Sequence, residues 1–229
     1  MAAEHALWRL IIDGDLAGAR NMARDVAMLE AVSKGQSPPT LRLYGWAPPC
    51  LTLGRHQGVE AANLDFCSAE GIDVVRRPTG GRALLHHLEL TYSVVAPLGR
   101  GPLPRGLQDA YRSICDALVH AMQTLGVNAE LTGGDVNLQL PGPRSTVPCF
   151  EAPAGGEVVV RGRKLIGSAM RARGTTILQH GSILAGPRHA DLLACLVPHR
   201  RGGLDRERLL AVTTDLGALR GKPYAEDEL

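Results

Sequence analysis

The apolar residues of this chain fall at helical spacing in only two long stretches, and the remainder is made of short strand-like runs punctuated by proline and glycine. Such an order is incompatible with strict βαβ alternation and predicts a mixed or antiparallel sheet with helices set apart from it. The first helical stretch runs from residue 16 to about 32, with Leu16, Ala19, Met22, Ala23, Val26 and Ala27 on one face and Asp13 or Asp15 placed to cap it. Lys34-Gly35, ahead of Ser37-Pro38-Pro39, ends it. The second opens at Pro104 and covers roughly 105–125, repeating Leu107, Ala110, Ile114, Ala117, Leu118 and Met122. Strand-like runs occupy 40–44, 51–53, 73–77, 88–95, 136–140, 157–161, 164–172 and 175–184, and two short helices are expected near 187–197 and 204–212. No internal repeat or low-complexity linker divides the chain. The expectation is an α+β fold in one domain over 1–229, with its core at about 15–219.

With aromatic residues at 3%, the core has to be built from Leu, Val, Ile and Ala, and few rings remain for stacking on bases. The formal net charge of +2 gives no general attraction for a polyanion, so a nucleic-acid partner is not expected. The N-terminus lacks a basic segment followed by an apolar one, and no run approaches the ~20 apolar residues of a membrane span, which predicts a cytoplasmic protein with no membrane partner. Five cysteines, Cys50, Cys67, Cys115, Cys149 and Cys195, are odd in number and never spaced as CxxC, against both a disulfide framework and a structural zinc site. His86-His87 is no better as a metal site, because neighbouring strand residues point to opposite faces and no third ligand is in register.

Three segments carry groups that could do chemistry. Arg76-Arg77-Pro78-Thr79-Gly80-Gly81-Arg82-Ala83-Leu84-Leu85-His86-His87 joins guanidiniums to two glycines that let backbone approach a ligand closely, which suits a phosphate, a pantetheine phosphate or a carboxylate, or else is a surface hairpin with solvated arginines. Gly162-Arg163-Lys164-Leu165-Ile166-Gly167-Ser168-Ala169 places Lys164, Ile166 and Ser168 on one strand face and Leu165, Gly167 and Ala169 on the other. An ammonium beside small residues can stabilise an oxyanion, although a strand lysine is also commonly just solvated. Ser145-Thr146-Val147-Pro148-Cys149-Phe150-Glu151-Ala152-Pro153 sets a thiol in a proline-bounded loop, as a nucleophile or as inert packing. The other four cysteines adjoin or lie in apolar patterns and are expected to be core thiols. Gln179-His180-Gly181-Ser182 ends a strand with a histidine beside a glycine.

Four blocks in order, NMARD (21–25), PTLRLYGWAPPCLTLGR (39–55), RRPTGGRALLHHLELTYSV (76–94) and GRKLIGSAMRARGTTILQHGSIL (162–184), resemble the biotin/lipoate protein ligase superfamily, in its lipoate ligase and octanoyltransferase branch. The ATP-using ligases of that branch typically have a third glycine where Arg82 stands and lack a cysteine ahead of the lysine strand. The setting of Cys149 is instead similar to the cysteine-dependent octanoyltransferases of the LipM type. With some ten residues following Leu219, the accessory C-terminal domain of two-domain ligases is not expected. His87 stands where the family usually has aspartate, so no role of that carboxylate carries over.

The resemblance implies a two-step octanoyl transfer without a cofactor. Cys149 would take the octanoyl group from octanoyl-acyl carrier protein, with Lys164 beside the acyl carbonyl, and a lysine of a lipoyl domain would then accept it. Acceptors of that kind include glycine cleavage H protein and the E2 of 2-oxoacid dehydrogenases. Arg76, Gly80, Gly81, His86, Gly167, Ser168, His180 and Gly181 are the implied substrate-binding residues, and no metal is implied. An ATP-dependent ligase, an amidotransferase between lipoyl domains and a non-catalytic carrier-binding module are the alternatives.

Overall fold

The structure, a computed structural model, describes residues 7–133, 156–203 and 205–224. In chain order its elements are β1 (Arg9–Leu16), α1 (Gly18–Ser33), β2 (Thr40–Trp46), β3 (Cys50–Leu53), α2 (Leu64–Ala69), β4 (Asp73–Arg76), β5 (Leu84–His86), β6 (Glu89–Pro97), α3 (Leu107–Thr124), β7 (Glu130–Leu131), β8 (Val158–Val160), β9 (Arg163–Arg173), β10 (Thr176–Leu184), α4 (Arg206–Val212) and α5 (Leu216–Arg220). Seven strands form one sheet in the order β1-β2-β6-β10-β9-β8-β7, and three form a second in the order β4-β3-β5. Among the described strand pairs only β1–β2 and β3–β4 are parallel, so the mixed, largely antiparallel architecture with separate helices is as expected.

β10 runs through the middle of the large sheet and is buried at every one of its residues. On one face α1 packs Met28, Leu29 and Val32 against Val95 and Leu178. On the other, Tyr111, Ile114, Cys115 and Met122 of α3 meet Tyr92, Val94, Ile166 and Ile177. The small sheet has its own aliphatic cluster, Leu51, Leu53 and Leu85 against Cys67, Leu192 and Leu196.

The register of α1 on the sheet is set by polar groups. Asn21 and Asp25, one turn apart on the same side of the helix, both grip Arg42 of β2. Arg42 Nη2 donates to Asn21 Oδ1 at 2.6 Å, Nη1 to Asp25 Oδ1 at 3.0 Å and Nε to Asp13 Oδ2 at 2.7 Å, with the guanidinium 3.8 Å above the Tyr44 ring. Asp25 also accepts from Tyr44 Oη at 3.1 Å, Ser93 Oγ at 3.0 Å and His180 Nδ1 at 2.9 Å.

Asp13 and Asp15 do not cap α1, contrary to the sequence expectation. They belong to β1, whose register against β2 shifts between Ile12 and Asp15, and Asp13 is committed to Arg42 and Arg24. The N-cap is Ala17, whose methyl side chain cannot accept a capping hydrogen bond. Asp73 of β4 supplies the missing acceptor, taking the Gly18 amide at 2.9 Å. The expected helix at 187–197 is a 3-10 helix over Pro187–Leu193, and the expected strand at 136–140 lies outside the described residues.

Removing one partner of a buried ion pair leaves the other charged and desolvated, at a cost of about 3–5 kcal/mol. Asp25→Ala is therefore expected to lower unfolding free energy by roughly that amount in urea denaturation, whereas Lys34→Ala, at an exposed pair with Glu30, leaves the urea midpoint nearly unchanged.

Candidate functional site

A bulge in β9 decides what faces the site. Val158 of β8 lies opposite Ile166 and Val159 opposite Lys164, so Leu165 is an extra residue and the in-out alternation slips by one. Lys164, Gly167, Ser168 and Ala169 line a pocket, with the Ser168 hydroxyl 2.7 Å from Tyr92 Oη, while Leu165 and Ile166 go into the core under α3. The expected grouping of Lys164, Ile166 and Ser168 on one face is thus corrected at Ile166, which lies in the core, and Gly167 and Ala169 line the same pocket as Lys164. An unbroken strand would have sent Lys164 and Gly167 to opposite sides.

The pocket contains roughly 490 Å³ of atom-free space, part of it open to solvent. Its walls are mostly apolar: Met22, Tyr44, Trp46 and Leu84 face the β9 and β10 backbone at Gly167, Ala169 and Gly181. Glycine is needed at 181, because a Cβ there would stand 2.6 Å from both Gly167 O and Tyr92 Cε1. Lys164 is 2% exposed, and its ammonium is paired with the Glu157 carboxylate. A cation held this way in the lining of an apolar chamber is suited to stabilise charge developing on a carbonyl oxygen.

His86 and Trp46 form one side, stacked at 4.0 Å between ring centroids. His86 Nε2 sits 2.9 Å from Thr52 Oγ1, and Nδ1 sits 2.7 Å from Glu89 Oε1. Glu89, itself buried, also accepts from Thr91 at 2.6 Å and from Ser182. Burial pushes its carboxyl up, but the charge of His86 and the hydrogen bonds from His86, Ser182 and Thr91 outweigh that and hold it below the ordinary 4.5.

The glycine loop is built around Arg77. Its guanidinium donates to Gly80 O at 2.9 and 3.1 Å, Arg82 O at 2.6 Å, and Thr52 O and Oγ1 at 3.1 Å each. Gly81 has φ +89°, and its carbonyl lies where a Cβ on Gly54 would have to be, so two glycines let the loops touch. Thr79 reaches His180 Nε2 at 2.6 Å and joins the loop to the Asp25 network.

Of the residues singled out from sequence, Lys164, His86, Gly167, Ser168, His180 and Gly181 meet at this pocket, and Gly80 and Gly81 shape the adjoining loop. Arg76 is not among them. It is exposed, donates to Gly54 O at 3.0 Å and to Gln57 O, and lines an open cleft next door with Arg55 and Arg171. Cys149 lies outside the described residues. Sequence reasoning missed Arg77, Thr52, Trp46, Thr79 and Glu89. Strand alternation required one arginine of the Arg76-Arg77 pair to face inward, but it did not say which.

Cys50, Cys67, Cys115 and Cys195 are all buried. Burial pushes the Cys115 and Cys195 thiols up to about 12, and those of Cys50 and Cys67 upward as well. None of the four is a nucleophile at neutral pH. Among the described residues no cluster of three potential metal ligands occurs, and no helix is long and apolar enough to cross a membrane.

Residues 17–208 match the family model for the lipoyl protein ligase A/B catalytic domain. A protein named Octanoyltransferase LipM from Kyrpidia tusciae is 45% identical over 180 residues, 77% of this chain. The match spans 65% of that protein's own length, just under two thirds. The protein of the same name from Symbiobacterium thermophilum is 45% identical over 224 residues, covering 95% of this chain and 80% of its own. Among solved structures, a bipartite lipoate protein ligase from Thermoplasma acidophilum, studied with its E2 lipoyl domain, superposes with a TM-score of 0.69 over 98% of this chain and 79% of its own. At 22% identity it shares the fold.

Because the folded pKa of Glu89 is depressed, its contribution to stability is fully present above the ordinary 4.5 and is lost as pH falls through the lower folded value. Glu89→Gln should destabilise the protein by about 1–3 kcal/mol at neutral pH, as three donors lose a charged acceptor. The gap between the two proteins should narrow on acidification below 4.5 when urea unfolding is followed at stepped pH.

Proposed function

The chain belongs to the lipoyl protein ligase A/B catalytic domain family, and on that footing we propose that it is an octanoyltransferase of protein lipoylation that works through a cysteine acyl-enzyme. The observation that carries this reading is the 45% identity to proteins named Octanoyltransferase LipM. It is supported by an apolar pocket with a buried lysine in its lining. The octanoyl tail occupies the pocket, where each methylene removed from water contributes about 0.8 kcal/mol.

The Cys149 thiolate attacks the thioester carbonyl of the donor. The bond from the carbonyl carbon to the donor sulfur breaks, the donor thiol leaves with a proton, and an octanoyl-cysteine remains. The neutral ε-amine of an acceptor lysine then attacks that thioester, expels the Cys149 thiolate and forms an amide after losing a proton. Lys164 supplies positive charge to the oxyanion of both tetrahedral intermediates. Since a thioester is already activated, ATP has no part in the sequence. The unsuitability of the four buried thiols for nucleophilic attack supports assigning this step to Cys149. Octanoyl-acyl carrier protein is the proposed donor, and a lipoyl domain such as glycine cleavage H protein or a 2-oxoacid dehydrogenase E2 is the acceptor, which puts the reaction in the cytoplasm.

Incubation with octanoyl-acyl carrier protein alone, without ATP, should add one octanoyl group to the protein by intact mass, and adding a lipoyl domain should move that mass to the domain. Cys149→Ala should show neither event. Transfer at the wild-type rate by that variant would overturn the cysteine mechanism, and transfer that occurs only with free octanoate and ATP would replace it with a ligase.

A further inference from the structure

The pocket and the open cleft beside it share two lining residues, Met22 of α1 and Arg77 just beyond β4. Both are nearly closed off from solvent, at 6% and 5% exposure. They are held differently. Arg77 is pinned by its hydrogen bonds to Thr52, Gly80 and Arg82 and is charged, so an apolar chain end does not displace it. Met22 is held by packing, and its unbranched thioether side chain adapts to what it touches. β9 lines the pocket with Lys164, Gly167 and Ala169 and then delivers Arg171 to the cleft. The order along the strand is therefore ammonium, pocket and cleft, with Met22 and Arg77 at the boundary. Past Met22, the cleft continues along α1 over Ala23, Val26 and Ala27, an apolar floor on which Val26 is 41% exposed.

We propose that the Met22 side chain is the stop that sets the length of acyl chain this pocket accepts, with Arg77 as the fixed lip beside it. The inference rests on the acyl-transfer function proposed above. A chain whose carbonyl lies at Lys164 runs past Gly167 and Ala169 and ends against the methionine. Shortening Met22 joins pocket to cleft, and additional methylenes then lie on the α1 floor.

The test compares hexanoyl, octanoyl, decanoyl and dodecanoyl carrier protein in competition, and the same free fatty acids in thermal-shift binding, which needs no turnover. Met22→Ala should raise the decanoyl-to-octanoyl ratio about 15-fold, from roughly fourfold for each of two newly buried methylenes. Met22→Phe should move the preference towards hexanoyl, and Met22→Leu should keep the wild-type profile. If the wild type transfers octanoyl and the folded Ala and Phe variants retain its length profile in both measurements, the inference is overturned and the proposed function stands. If the wild type transfers nothing, the proposed function fails, and the thermal-shift profiles decide the inference: a length dependence that moves with residue 22 supports it, and one that does not overturns it.

Discussion

The carboxylate of Asp25 is the point on which the molecule turns. It has no solvent exposure and accepts from Arg42 and Ser93 on one oxygen and from Tyr44 and His180 on the other. Those donors lie on β2, β6 and β10, while Asp25 itself belongs to α1. His180 extends the connection through Thr79 to the glycine loop. One helix, three strands of the large sheet and the loop that borders the pocket are thus tied to a single charge. Burying an ion pair costs several kcal/mol per ion in lost hydration, and the cost is offset only when every remaining donor and acceptor is satisfied. Arg42 meets that condition through Asn21, Asp13 and the face of Tyr44. Geometry of this kind admits one register of α1 on the sheet, and α1 carries Met22 into the pocket.

A second constraint is the extra residue at Leu165. The bulge brings Lys164 onto the pocket face together with Gly167 and Ala169, so the ammonium and the space beside it belong to one cavity. Glu157, next to β8, pairs with that ammonium and offsets the cost of keeping it from water. Glu89 does for His86 what Glu157 does for Lys164, anchoring one ring nitrogen while Trp46 covers the ring face. Two polar groups that line an apolar chamber are therefore each held in place by a carboxylate. Fixed dipoles and charges around dry space are what an acyl-transfer transition state requires, since they need little reorganisation as charge moves.

Much of this was legible in the residues alone. Helical spacing located α1 and α3, and the proline- and glycine-punctuated runs located most of the strands, because burial on one face imposes those periods. The four ordered blocks assembled Lys164, His86, Gly167, Ser168, His180 and Gly181 before their meeting place was known. The failures have a common physical origin in contacts that connect distant parts of the chain. β1 has no apolar alternation to reveal it, since it is an edge strand whose key residue, Asp13, serves Arg42. Capping of α1 comes from Asp73, 55 residues away from the amide it accepts. The bulge at Leu165 is defined by its partner on β8, and the choice between Arg76 and Arg77 by the carbonyls of a loop that had yet to fold. Glu89 lies in an apolar-looking strand and shows its purpose only once His86, Thr91 and Ser182 surround it.

In the proposed arrangement the acyl chain lies in the pocket between Lys164 and Met22, with its carbonyl at the lysine. A crystal structure of the protein carrying an octanoyl group is the decisive experiment. The expected result is continuous density for the chain along Gly167 and Ala169, with the carbonyl oxygen within hydrogen-bond distance of Lys164 Nζ and the terminal methyl against Met22. Density that instead placed the chain in the outer cleft beside Arg55 and Arg171, leaving the pocket empty, would contradict it.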